Sequence, residues 1–241
     1  MTNASRLRVI RLLTALVLPA TCWAQKPAIA KQIAKTYGLD SFGQIEAIRY
    51  TFTIRGAINV YRSWVWEPKT GQVSYDGKDK AGKPLKVTYL RSQVSSQPAV
   101  VKDEIDPTFF NDQYWLLFPF HLVWDTSAKV EDTGMHKLPL GKGSAERLVV
   151  TYPAAGGYSP RDTWELFVGT DNRIQEWIYR PGGSAKPHVV ASWEDYKKAG
   201  PLLVSLDHRA IRDGKPARIF FSDVSVKLVG SNTWMNAHNE Q

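Results

Sequence analysis

Five histidines are the residues of this sequence with the most obvious chemical potential. They stand at positions 121, 136, 188, 208 and 238, and no two of them have the HxH or HExxH spacing of a zinc site. Asp207 and His208 are adjacent, but neighbouring residues of a strand point to opposite faces of a sheet, so the carboxylate cannot orient the imidazole there. The histidine pattern therefore predicts no metal site.

Serine and carboxylate chemistry has equally little support in the sequence. Serines that follow glycine, as in Gly143-Ser144, lack the Gly-x-Ser-x-Gly elbow of an esterase. Asp162 with Glu165, and Asp103 with Glu104, are candidate carboxylate pairs, but such residues are more often hydrated charges at strand edges or in loops. We therefore expect no catalytic residues and no cofactor, and we interpret the protein as a binding protein and not an enzyme.

Large aromatic side chains are the residues best suited to bind a ligand without reacting with it. Nine Trp, ten Tyr and nine Phe bring the aromatic content to 12%, and ligand pockets are concave and mostly apolar. The alternative for each ring is ordinary core packing. The predicted ligand-binding residues are Trp64 and Trp66, Tyr114, Trp115, Phe118 and Trp124 from a middle segment, and Trp164 and Ile178 from later strands.

One short helix and many strands must position these residues. Apolar residues recur at helical spacing between Pro27 and Gly38, which predicts an amphipathic helix. Apolar and polar residues then alternate with the period of a strand. We predict strands over 48–54, 58–66, 72–75, 85–90, 147–152, 163–168, 173–180, 189–196, 202–208 and 218–228. About ten strands in one antiparallel sheet must curl strongly.

The middle of the chain interrupts this pattern with a helix. Asp106 and Pro107 supply an N-cap and a favoured first helical residue, and the segment to Phe118 is apolar nearly all round. Pro119 is expected to end or kink the helix before a second apolar piece at 120–124. A helix with apolar residues on every face must be buried on several sides. We therefore expect it to lie across the concave face of the curled sheet.

The first 24 residues have the features of a secretory signal peptide. Arg6, Arg8 and Arg11 precede a short apolar run, and Ala24 offers a small residue for cleavage. The run is shorter than the roughly 20 apolar residues of a transmembrane helix. The alternative is a lipoprotein acylated at Cys22, the only cysteine of the chain.

Residues 25–241 are expected to form one domain, because no long linker and no repeat divides them. The formal net charge of the whole chain is +8, and it falls when the three arginines of the leader are removed. The remaining charge is dispersed, with no zinc finger and no RNA-binding motif, so we expect no nucleic-acid partner.

Two motifs and the order of elements resemble a known group of proteins. The motifs are NDQYWLLFPF at 111–120 and WEDY at 193–196. With the exported leader, the N-terminal helix and the long meander, they resemble the LolA/LolB lipoprotein-carrier superfamily, specifically its outer-membrane lipoprotein-sorting-like members. The resemblance implies an α+β fold, in which a curled antiparallel β-sheet forms an incomplete β-barrel with helices capping the concave face. It also implies an apolar cavity for acyl chains in the periplasm.

The resulting hypothesis is an exported periplasmic protein that binds a lipid, a lipoprotein acyl chain or another amphiphile, with peripheral contact to a membrane. One alternative is an interaction or sensor module with a packed core, whose partner is another envelope protein. A second alternative is an enzyme on the same scaffold. The insert at 129–146 receives no role from the sequence.

Overall fold

Antiparallel strands account for most of the regular structure in the computed structural model, which describes residues 26–239. The predicted signal peptide and the alternative lipid anchor at Cys22 both lie outside these residues. Two α-helices are present, α1 (Ala28–Thr36) and α2 (Asp106–Trp124). The strands are β1 (Ile45–Arg55), β2 (Val60–Glu67), β3 (Gln72–Lys78), β4 (Pro84–Leu90), β5 (Lys129–Lys137), β6 (Ser144–Thr151), β7 (Thr163–Val168), β8 (Ile174–Arg180), β9 (Val189–Ser192), β10 (Glu194–Ala199), β11 (Leu202–Arg212), β12 (Lys215–Leu228) and β13 (Trp234–Asn236).

All thirteen strands of the described chain belong to one sheet, in the order β4-β3-β2-β1-β12-β11-β9-β8-β7-β6-β5. β10 also pairs with β11, and β13 with β12. Since β4 and β5 are not paired with each other, the sheet is open. The predicted fold class is confirmed: a curled antiparallel sheet forms an incomplete barrel, and helices lie against it.

The sheet has three strands more than the ten that the sequence predicts: β13 (Trp234–Asn236), and two that arise for local reasons. The predicted strand at 189–196 is divided, because the chain turns at Trp193 and Asp195 has a φ of 51°. The insert at 129–146 forms β5 and the start of β6. The sequence of β5 shows no alternation of apolar and polar residues, because β5 is an edge strand in which only Val130 is buried. Its pairing with β6 also shifts register beside Gly134. Charged residues and irregular register are common protections of an exposed sheet edge.

Helix α2 begins at Asp106, but the prediction of Asp106 as its N-cap is wrong, because Asp106 and Ile105 before it already have helical backbone angles. The helix also continues beyond the predicted break. A turn of π-helix (Val101–Ile105) precedes it, and the helix runs through Pro119 to Trp124. Proline removes one backbone hydrogen bond and crowds the carbonyl four residues earlier. Every residue from 112 to 122 is buried, so packing on all sides holds this stretch helical. The expected burial of the helix on several sides is also confirmed.

Candidate functional site

A fully buried carboxylate, that of Asp112, holds the middle of α2 to the sheet. Arg62 of β2 donates two hydrogen bonds to it, from Nε at 2.7 Å and from Nη2 at 2.6 Å. The indole Nε1 of Trp64 donates a third, at 2.9 Å. Burial raises the pKa of Asp112, and the Arg62 guanidinium opposes that rise. The pair is therefore a structural anchor that joins α2 to β2.

A second buried carboxylate, that of Asp106, holds the start of α2. The hydroxyl of Tyr89 donates to it at 2.9 Å, and Arg91 lies 3.3 Å away. Tyr158, from the loop between β6 and β7, also donates to it, and the Tyr158 ring stacks on Phe110 at 4.2 Å. Asp106 thus connects α2 on one side to the end of β4 and on the other side to the loop between β6 and β7.

The end of α2 is held by Asp125, which directly follows the helix. Its carboxylate accepts hydrogen bonds from Tyr114 at 2.6 Å and from Tyr152 at 2.7 Å, and His121 Nδ1 lies 3.1 Å away. Tyr152 directly follows β6, near the other free edge of the sheet. Helix α2 therefore spans the opening between the two edges and completes the wall that the strands leave open.

The concave interior beneath α2 is filled by aromatic rings. Trp115 and Trp164 lie with their ring centroids 4.4 and 4.6 Å from that of Trp177, and Phe118 lies 5.0 Å from Trp164. Six of the eight predicted ligand-binding residues belong to this core, namely Trp64, Trp66, Tyr114, Trp115, Phe118 and Trp164. Most of the predicted ligand wall is thus packed against other side chains.

Of the remaining two predicted residues, Trp124 packs against the edge of this core and Ile178 lies outside it. Trp124 is half-buried at the end of α2 and stacks on Phe120 at 5.2 Å. Ile178 belongs to a separate cluster with Ala145 and Phe167. Ile178 follows Trp177 along β8, and successive strand residues point to opposite faces. Ile178 therefore shares no wall with the other seven.

Sequence reasoning missed three residues at the centre of the interior: Trp177, Trp193 and His208. Trp177 could have been found from the alternation of side chains along β8, because Trp177 and Tyr179 point to the face opposite Ile178. His208 is fully buried, its Nδ1 lies 2.9 Å from the carbonyl oxygen of Ser192, and burial lowers its pKa to about 4. His208 is thus neutral in the folded protein at neutral pH.

The carboxylates that were candidates for acid–base chemistry are engaged in structural pairs. Asp207 accepts two hydrogen bonds from Arg218, at 2.7 and 2.9 Å, and none from its neighbour His208. Asp162 and Glu165 are buried, so the expectation that they are hydrated charges is wrong. Their partners explain this: Tyr179 donates to Asp162 at 2.9 Å, and Arg147 and Arg180 pair with Glu165.

One cleft lies at an end of the half-barrel, and we call it the mouth. It has a volume of about 430 Å³ and lies between the start of α2 and the ends of β1, β2, β8, β9, β11 and β12. Its apolar lining consists of Ile54, Ile58, Val60, Trp115, Val189 and Ile219. Its charged and titratable lining consists of Arg62, Lys80, Asp103, Glu104, His188 and Arg212. Trp115 is the only predicted ligand-binding residue that lines it.

Two further clefts differ from the mouth in chemistry. One, of about 530 Å³, lies between α2 and the loop that carries Tyr158, and it includes Tyr114 and Trp124. The other, of about 760 Å³, is a wide groove over β1 to β4. Hydroxyl pairs such as Thr51 with Ser63, at 2.9 Å, contribute to its lining.

Two other features of the described chain bear on the class of site. Between residues 26 and 239, no cluster of three His, Cys, Asp or Glu side chains has the geometry to hold a metal ion. Within the same residues, no helix has both the length and the apolar character needed to span a bilayer.

Comparison with known proteins gives matches of fold only. No family model and no curated protein matches the sequence. A DUF1329 family protein from Desulfovibrio piger is 9% identical, with a TM-score of 0.46, over 85% of this chain and 92% of that chain. A LolA superfamily protein from Nitrosomonas europaea is 9% identical, with a TM-score of 0.46, and the match covers 82% of this chain and 93% of that chain. The lipoprotein LppX from Mycobacterium tuberculosis is 9% identical, with a TM-score of 0.31, and the match covers 83% of this chain and 96% of that chain.

Proposed function

We infer that this protein binds the apolar chain of an amphiphile, such as a lipid or a lipoprotein acyl chain, in the mouth of its half-barrel. The observation that carries the proposal is the mouth itself. Its volume of about 430 Å³ falls within the range of roughly 300 to 1,000 Å³ that is usual for ligand pockets. Its floor is formed by branched aliphatic side chains and by Trp115, and charged side chains stand around it.

The balance of apolar and charged lining favours an amphiphile over a purely polar ligand. Each methylene group removed from water contributes about 0.8 kcal/mol, so affinity should rise about fourfold for each carbon added until the mouth is full. The packed interior behind Trp115 limits the depth to which a chain can enter while α2 stays in place. A carrier role would place the protein in the periplasm, in keeping with the signal peptide predicted at residues 1–24.

A substitution at the rim of the mouth tests this function without disturbing the core. Ile58 lines the mouth and its side chain is 44% exposed, so Ile58→Asp should fold normally. Decanoate binding, measured by calorimetry, should weaken at least tenfold, because a charge replaces apolar contact area. Met135→Asp is the matched control, since Met135 is an exposed apolar residue on β5 away from the mouth. Equal binding by both variants would contradict the proposal.

The alternative is an interaction module for another envelope protein, and one specific observation favours it. The aromatic interior is packed, with Trp64, Phe118 and Trp177 almost without exposure. If this interior stays packed, it has no space for a ligand, and the protein would act through its surface. Failure of the wild-type protein to bind any amphiphile at micromolar concentration would leave this alternative as the better account.

A further inference from the structure

The basic side chains that line the mouth differ in whether they already have partners. Arg62 is held by both oxygens of Asp112. His188 Nδ1 lies 2.8 Å from Asp213. Lys80 is an exposed residue whose flexible side chain extends into solvent. These three groups are therefore either already engaged or fully hydrated.

Arg212 is the exception among these cations. It is half-buried at the mouth, and its side chain forms no hydrogen bond and no ion pair with any residue of the described chain. Partial burial removes some of the water that would solvate a guanidinium, and a buried charge is stable only when it is paired. An unpaired, half-buried arginine beside an apolar floor is a group that favours an anion.

The backbone around Arg212 is fixed, so the guanidinium is well placed to recognise a ligand. Arg212 pairs with Lys215 of β12 on one side and with Val189 of β9 on the other. The two residues of the connecting turn, Asp213 and Gly214, have φ angles of 49° and 78°. Positive φ at both central positions defines a type I′ hairpin, which matches the twist of the strands.

The direction of the Arg212 side chain follows from strand alternation. His208 and Ala210 of β11 are buried in the main core, and Arg212 has the same parity. It therefore projects from the concave face at the point where that face reaches solvent. The acidic residues of the mouth, Asp103 and Glu104, belong to the helical turn on the opposite side. The acidic side chains of the mouth therefore lie apart from Arg212, and the basic residues Arg62 and Lys80 lie on their side.

We propose that Arg212 binds the anionic head group of the amphiphile, a carboxylate or a phosphate, while the apolar chain lies on the floor of the mouth. The inference rests on the proposed function, and it adds the class of ligand and the residue that selects it. Arginine is suited to this role because its planar guanidinium donates paired hydrogen bonds to carboxylate or phosphate oxygens.

Three ligands of equal chain length separate the head group from the chain: decanoate, decyl phosphate and decan-1-ol. Arg212→Gln should weaken decanoate and decyl phosphate at least tenfold and should change the affinity for decanol less than twofold. Lys215→Gln is the matched control, because it removes an exposed positive charge from the same hairpin. It should leave all three affinities within twofold of wild type.

The other outcomes distinguish this inference from the proposed function. If Arg212→Gln leaves both anions unchanged, or weakens decanol equally, the assignment of Arg212 is wrong although amphiphile binding stands. If Lys215→Gln has the same effect as Arg212→Gln, general charge and not a specific contact is responsible. If wild type binds none of the three ligands, both the function and the inference fail. Arg212→Lys keeps the charge but not the paired donors, so it should bind the two anions more weakly than wild type and more tightly than Arg212→Gln. Its unchanged affinity for decanol should show that the hairpin folds.

Discussion

The interior and the mouth of this half-barrel are adjacent, yet their side chains behave differently. In the interior, Trp115, Trp164 and Trp177 pack with ring centroids 4.4 to 6.1 Å apart. At the mouth, smaller aliphatic residues such as Ile54 and Val189 leave a cleft of about 430 Å³. Trp115 and Tyr179 belong to both regions, since both line the mouth and both rings contact Trp164.

This difference shows that aromatic content does not by itself indicate a cavity. Indole rings in contact with one another fill space and stabilise the fold, since each buries a large apolar area. A cleft persists where strands end and where side chains are too short to meet. The charged residues at such an end then decide which ligand can bind.

The largest expected effect comes from the interior. Trp177→Ala removes a fully buried indole and should lower the free energy of unfolding by about 3 to 5 kcal/mol. Decanoate binding at the mouth should stay unchanged at temperatures where the variant is folded. Urea unfolding and calorimetry measure the two quantities. A parallel loss of binding would show that the two regions are one site.

Asp112 lies on α2 and holds Arg62 of the mouth, so its substitution should lower the stability of the protein. Asp112→Asn leaves the Arg62 guanidinium without its carboxylate, and we expect a loss of about 3 kcal/mol in the free energy of unfolding. Asp103→Asn is the control, because Asp103 is exposed and should change stability by less than about 0.5 kcal/mol. Equal stability of the two variants would show that the buried pair does not anchor α2.

The pH dependence of stability reports on the interior through His208. In the folded protein this residue stays neutral down to its pKa of about 4, whereas the ordinary value is 6.5. The unfolded chain therefore binds one more proton between these values. The free energy of unfolding should decrease as the pH falls from about 6.5 to about 4, by up to about 1.4 kcal/mol per pH unit. His208→Gln should remove this contribution, and an unchanged slope would mean that His208 is hydrated.

The smallest effect is expected on the outer side of α2. Tyr158→Phe removes one hydroxyl that donates to Asp106 but keeps the ring that stacks on Phe110. A single hydrogen bond of this kind contributes about 1 kcal/mol. Thermal unfolding should show a small decrease in Tm with no change in decanoate binding. Weaker decanoate binding would assign a ligand role to the loop.

The sequence predicts the architecture better than it predicts the site. The alternation of β1 and the all-round apolarity of α2 are local patterns that predict a strand and a buried helix. The burial of Thr51 and Thr53 in β1 does not follow from the alternation. The edge strand β5 and the passage of α2 through Pro119 depend on tertiary contacts, so periodicity does not reveal them. The roles of Asp106, Asp112 and Arg212 depend on which strands meet α2, and that is a property of the sheet order.

The central claim is that an acyl chain occupies the mouth and leaves the aromatic interior undisturbed. The most direct measurement is a crystal structure with 10-bromodecanoate, in which anomalous scattering locates the bromine at the end of the chain. The account predicts a bromine peak in the mouth, in contact with Trp115 or Ile219, and a carboxylate within hydrogen-bond distance of Arg212. A bromine peak between Trp164 and Trp177, with α2 displaced, would contradict it.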